Sequence, residues 1–285
     1  MRESSNPVFK SLPKTQGGYA QFGTAASGGA AAAVHADPYA AQPYQDRQAA
    51  DTRPLTIDDV VTKTGFTLAV VTVVGIISYF LVAQGAPTYP LMLPFVLVGA
   101  LGGLALVLIA TFGRKQDNPA IVLSYAAFEG LFVGAASFLF ANLLSDGGPG
   151  MIAQALFGTV GVFVGMLVVY KTGAIRVTPK FTRMLVAAMF GVLAVILLNL
   201  VLGLFGVGGG EGFGLRSGGP LAIIFSLVCI GLAAFMFLID FDSADQLIRA
   251  GAPAKAAWGI ALGLTVTLVW LYIEILRLLS YFNSD

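Results

Sequence analysis

Charge is scarce in this 285-residue chain: Asp, Glu, Lys and Arg make up 11% of it, against 57% hydrophobic residues. A water-soluble globule carries about a quarter of its residues charged, so that class is excluded. Histidine and cysteine occur once each, as His35 and Cys229. A single cysteine rules out an intrachain disulfide. A single histidine in a polar terminal stretch, with no partner of metal-ligand type beside it, rules out a histidine-based metal centre or a Ser-His-Asp arrangement. The chain also lacks HExxH, GxxxxGK[ST] and GxGD, the patterns of zinc peptidases, P-loop proteins and intramembrane aspartyl proteases. Its formal charge of +1 provides no basic face for nucleic acid. No cofactor and no enzymatic activity are expected.

What is abundant is apolar length. The mean hydropathy is +0.84, and seven windows can be read as spans, at about residues 64–83, 91–112, 119–143, 151–170, 180–205, 220–241 and 255–280. At about 1.5 Å per residue each crosses the roughly 30 Å of a bilayer's hydrocarbon. Short alternating segments of a membrane β-barrel are missing. The reading is an all-α, polytopic membrane protein whose primary partner is the lipid bilayer.

Residues 1–53, rich in Gly, Ala, Gln, Pro and Ser, have no apolar period and read as a disordered tail before a transmembrane domain at 54–285. The tail lacks a signal-peptide core, so no cleavage is expected. Its segment Asn6, Pro7, Val8, Phe9 is a candidate docking motif, weighed against a merely solvated tail. Thr56 with Asp59 predicts a capping box, and Leu55 with Val60 a hydrophobic staple, so a helix starts near Ile57. Pro87 and Pro90 mark the first turn. Asn118 before Pro119, and Thr178 before Pro179, predict an N-cap followed by proline at the first helical position. The glycine-rich stretch 206–219 reads as a flexible connector.

Of the 16 Lys and Arg, all but Arg216 and Arg277 fall in the tail, in the 2-3, 4-5 and 6-7 loops or in the helix ends beside them. This asymmetry predicts a cytoplasmic N-terminus and an external C-terminus. Gly99 with Gly103, Gly130 with Gly134, Gly161 with Gly165 and Gly259 with Gly263 predict close helix approaches.

Acids inside or beside the spans are the candidate functional residues. Glu129 lies about ten residues into span three, where it is either an interhelical hydrogen-bonding group or part of an ion or proton path. Asp240, Asp242 and Asp245 follow the apolar run of span six. At about 100° per residue Asp242 and Asp245 share a face and Asp240 points nearly opposite Asp242. The run has no calcium-loop spacing, so it is either a polar helix end or a group in which a proton is shared. Glu274 and Arg277, three apart, are expected to pair.

Tyr125, Ala126, Ala127, Phe128, Glu129, Gly130 and Leu131 resemble the aromatic-Glu-Gly signature of the Bax inhibitor motif family, the transmembrane Bax inhibitor-1-like proteins. The seven spans, the Asp-rich end of span six, Gly165, Met166, Tyr170 and Lys171 in span four, and the closing Leu276, Arg277, Leu278, Leu279 agree with it. The likeness covers about 55–282. It implies six helices around a central seventh, a place in a bacterial cell membrane, and a pH-sensitive calcium leak, Ca²⁺ being the permeating ion. It also implies a gate of two aspartates, one each on spans six and seven, sharing a proton. The first maps onto Asp240 or Asp242, which would also make the transient calcium contact. Span seven departs from the pattern: the expected aspartate falls near Thr265 to Thr267, so a threonine hydroxyl, such as that of Thr267, or Glu129 would have to substitute. The rival reading is a non-conducting regulatory membrane protein that binds membrane proteases or stress-response partners.

Overall fold

Thr56 and Asp59 form the reciprocal cap: Thr56 Oγ1 accepts the Asp59 amide at 3.3 Å, and Asp59 Oδ2 accepts the Thr56 amide at 3.1 Å. This cap opens α1, Ile57–Ala83, in a computed structural model that describes residues 53–86, 88–206, 213–215 and 217–283. The tail, His35, the Asn6 to Phe9 motif, Pro87, Arg216 and the middle of the glycine-rich stretch lie outside the described residues. Leu55 and Val60 are both buried in one apolar cluster. After α2, Met92–Phe112, Asn118 Oδ1 accepts the Ala120 amide at 2.9 Å and Pro119 begins α3, Pro119–Phe138. A π-helical turn, Leu139–Leu143, closes α3. Next comes α4, Gly148–Thr172, which starts three residues earlier than expected. Thr178 Oγ1 accepts the Phe181 amide at 3.2 Å and caps α5, Pro179–Leu204. The last two helices are α6, Pro220–Arg249, and α7, Ala257–Phe282, joined through a 3₁₀ turn at Ala254–Ala256.

All seven helices are long and apolar enough to cross a membrane. The protein is an all-α, polytopic membrane protein.

The largest departure from expectation is the end of α6. The apolar run stops at Asp240, but the helix continues to Arg249. No glycine or proline interrupts the chain between Asp240 and Arg249, and two side-chain pairs one turn apart support the helix: Gln246 Nε2 donates to Asp242 Oδ2 at 2.6 Å, and Arg249 meets Asp245 Oδ2 at 2.7 Å. Gly251, with φ +65°, and Pro253 then stop it. Asp240 therefore lies about 13 Å before the end of its helix, not at the end.

The middle of the bundle is α7, with 61% of its apolar window buried by protein, against 6% for α5. It packs on α6, α1, α4 and α3. The six other helices do not surround it evenly: α2 rests mainly on α3 and α5 mainly on α6. An apolar helix facing lipid carries no penalty for its exposed side chains, so a narrow seam holds it. The entry to α1 is tied to the α6 to α7 connection. Leu55 N donates to Ala252 O at 2.7 Å and Ala254 N to Arg53 O at 2.8 Å, around an antiparallel bridge between Pro54 and Pro253. Asp117 and Lys255, 3.9 Å apart, bring the α2 to α3 loop to the same end. Among the described residues that end carries every Lys and Arg except Arg277.

The glycine pairs divide. A Cβ at Gly134 would collide with the Gly75 carbonyl of α1, and one at Gly99 would lie 2.6 Å from the Phe132 amide of α3. Around Gly161 and Gly165 nothing comes within 4 Å, so that pair is not a packing face. Gly134→Ala should cost about 1 to 3 kcal/mol through forced separation of α1 and α3. Gly165→Ala should be neutral or stabilising by up to about 1 kcal/mol. Thermal unfolding of the two variants in detergent checks the contrast.

Candidate functional site

Four of the acids point in three directions, because α6 and α3 present them to different neighbours. Asp240 turns toward α7: its Oδ2 accepts a hydrogen bond from Thr267 Oγ1 at 2.7 Å, and its Oδ1 lies over Gly263, one turn earlier. Gly263 and Thr267 are four apart on α7 and so share the face that meets α6. Thr267 is buried and Asp240 half-buried.

The Thr267 hydroxyl has one proton and two acceptors in reach, Asp240 Oδ2 and the Gly263 carbonyl at 3.2 Å. With Asp240 ionised, the proton goes to the carboxylate. With Asp240 protonated, the acid itself donates to Oγ1 and the threonine proton turns to Gly263 O. Both charge states are thus hydrogen-bonded, which removes the penalty that an unpaired buried polar group would carry.

Asp242 and Asp245 face away from that seam. Together with Tyr170, Arg176, Gln246 and Arg249 they line a cavity of about 320 Å³ at the end of α4 and α6. Tyr170 OH donates to Asp245 at 3.4 Å. The separation of Asp240 from the other two is the one that helical geometry requires. Among the described residues, no three acidic, histidine or cysteine side chains come together to hold a metal ion.

Glu129 lies in a third place, the α2 to α3 seam. Its Oε2 would be 2.8 Å from a Cβ at Gly103, and its hydrogen-bonding neighbour is Tyr125, one turn earlier. Tyr125 in turn packs with Ala110 of α2 and Leu262 of α7. The structure does not bring Glu129 to Asp240.

Toward the other end of α7, Arg277 Nη1 donates to Glu274 Oε1 at 2.6 Å, with both side chains almost wholly buried. The guanidinium sits 5.4 Å from the centre of the Phe140 ring, in the π-helical turn. Glu274 Oε2 has no hydrogen-bond partner among the described residues. The expected pairing is present, but deep in protein and not at an exposed interface. Sequence reading gave no site role to Gly263, Tyr170 or Arg176. Gly263 had been visible only as a packing residue, although its four-residue spacing to Thr267 marks one face.

A bundle of seven membrane-crossing helices, with a carboxylate held by a hydroxyl between the last two, defines an integral membrane protein with a polar seam inside its helix core. The family model described as Bax inhibitor 1 like matches residues 6–284, and the chain belongs to that family. The match includes most of the stretch before α1, which the resemblance at 55–282 had left outside. No curated protein matches the chain.

Thr267→Val removes the side-chain hydrogen bond that Asp240 makes among the described residues and should cost about 0.5 to 2 kcal/mol, whereas Thr267→Ser should retain most of it. For the buried pair, Glu274→Ala or Arg277→Ala should cost about 3 to 5 kcal/mol, because each leaves one buried charge alone. The double variant Glu274→Leu with Arg277→Met should lose less than either. Denaturant unfolding in mixed micelles measures both series.

Proposed function

We propose that the protein is a pH-responsive cation leak, with calcium as the permeating ion, in which Asp240 and Thr267 form the gate. The observation that carries this reading is the hydrogen bond from Thr267 to Asp240 across the α6 to α7 seam. It supplies the two-state element that a span-seven aspartate supplies elsewhere in the family resemblance. Protonation removes a cation ligand and reorients one hydroxyl; ionisation restores a carboxylate that can pass a cation along the seam. Glu129, about 15 Å into α3 and in the α2 to α3 seam, is assigned to the cation path away from the gate itself. Asp242 and Asp245 are assigned outside the gate, since they face the side cavity. The basic end of the bundle is proposed to be cytoplasmic, in a bacterial cell membrane, with the C-terminus outside. The stretch before residue 54 is then cytoplasmic. The family is not a known enzyme family, and no catalytic role is assigned.

A second reading, a regulatory protein that binds other membrane proteins, is favoured by the bonds of Arg53 and Leu55 to the α6 to α7 connection. Through them a partner bound to the tail would act on α7.

Liposomes loaded with a calcium dye separate the two. Wild-type flux should change across about pH 5 to 8. Asp240→Asn and Thr267→Val should each abolish that change, and Asp242→Asn should retain it. Equal, pH-independent flux in wild type and Asp240→Asn would overturn the gate. Absence of flux in every variant would favour the regulatory reading.

A further inference from the structure

The cavity at the end of α4 and α6 has a charge pattern that the Asp240 seam does not use. Two cations and two anions line it, but they are not equivalent. Arg249 and Asp245 neutralise each other at 2.7 Å. That leaves Arg176, which has no ion-pair partner among the described residues, and Asp242, which accepts from the neutral Gln246 amide and feels the charge of Arg249 without a direct ion pair to it. Among the described residues Arg176 and Asp242 do not reach each other as a salt bridge, so the cavity holds one guanidinium and one carboxylate without a direct ionic partner. A matching ligand carries both signs on one short body.

Position narrows the class. Arg176 lies in the short connection between the end of α4, capped by Gly173 with φ +68°, and the start of α5 at Pro179. Both are membrane-crossing helices. The connection is therefore at the depth of lipid headgroups. Val164 and Val168, on other faces of α4, are about half exposed, so the helix that ends at the cavity faces lipid along its length.

We propose that this cavity binds the headgroup of an aminophospholipid, with its phosphate on Arg176 and its primary ammonium on Asp242. The guanidinium matches phosphate as a planar donor pair, and the ammonium supplies the N–H donors that an unpaired carboxylate requires. An anionic headgroup without an amine leaves Asp242 facing negative charge. A choline headgroup has the positive charge but no N–H to donate. A bare divalent cation would be placed beside two guanidinium groups. The proposal stands apart from the flux reading, because neither Asp240 nor Thr267 takes part in it.

Native mass spectrometry of the full chain, titrated with phosphatidylethanolamine, phosphatidylcholine and phosphatidylglycerol of matched acyl chains, tests it. Phosphatidylethanolamine should bind roughly tenfold more tightly than the other two, the scale of one charge-assisted hydrogen bond at a partly exposed site. Arg176→Gln should weaken it by roughly the same factor, with Arg176→Lys recovering part. Asp242→Asn should lower phosphatidylethanolamine to the level of phosphatidylcholine. Equal affinity for the three headgroups on the wild-type protein, a comparison that needs no variant, would overturn the proposal. So would an ethanolamine preference that survives both substitutions. Displacement of the lipid by soluble phosphoethanolamine at comparable concentration would overturn the lipid assignment and give the cavity to a soluble zwitterion.

Discussion

The structure depends on the burial of α7. Thr265, Thr267, Glu274, Arg277 and Ser280 are all buried on this one helix. In hydrocarbon none of these groups could find a partner from solvent, so each must be shielded or satisfied by protein. A helix facing lipid on one side could not carry them. The requirement for neighbours on nearly every side explains why α6, α1, α4 and α3 close around α7 while α2 and α5 remain outer helices. It also gives a reason for the backbone tie between Arg53 to Leu55 and Ala252 to Ala254, which fixes where α7 begins.

The seams of the bundle are built in two ways. Between α1 and α3, Gly75, Gly130 and Gly134 let the backbones meet, and Ser78 Oγ donates to Leu131 O at 2.8 Å. Lipid tails are as apolar as leucine, so close van der Waals contact of this kind replaces the hydrophobic effect as the force of association. Between α6 and α7 larger side chains intervene, with Phe237, Phe241, Leu264 and Leu268 in one cluster. Backbones in direct contact have no slack. Interleaved side chains can repack by changing rotamer, and the Asp240 to Thr267 hydrogen bond lies in the seam of that kind.

Much of this was legible in the sequence because membranes impose length and hydropathy directly. The seven spans, the three polar caps and the Glu274 to Arg277 pairing follow from local rules and are present in the structure. The end of α6 was misread because hydropathy marks where the apolar run ends, and helical hydrogen bonding does not stop there. Gly161 and Gly165 show the opposite failure: a small-residue spacing states that a close approach is permitted, but which helix comes near is decided by the whole bundle. The direction of each aspartate was partly legible, since the separation of Asp240 from Asp242 is fixed by the helical period. That Thr267 stands opposite Asp240 required the register between α6 and α7, which is a tertiary quantity.

The two chemical features of α6 are joined by that same period. Asp240 and Asp242 are two residues apart and lie about 200° apart around the helix axis. One faces α7 and the other faces the cavity beside α4. Because the backbone between them is rigid on the scale of two residues, rolling α6 about its axis moves both carboxylates together, in opposite directions across the bundle. The continuation of α6 to Arg249 matters here: with Asp240 some 13 Å inside the helix, the two turns beyond it form a lever outside the seam. The Tyr170 hydroxyl, donating to Asp245, ties that lever to α4, and the ion pair of Arg249 with Asp245 stiffens the lever itself.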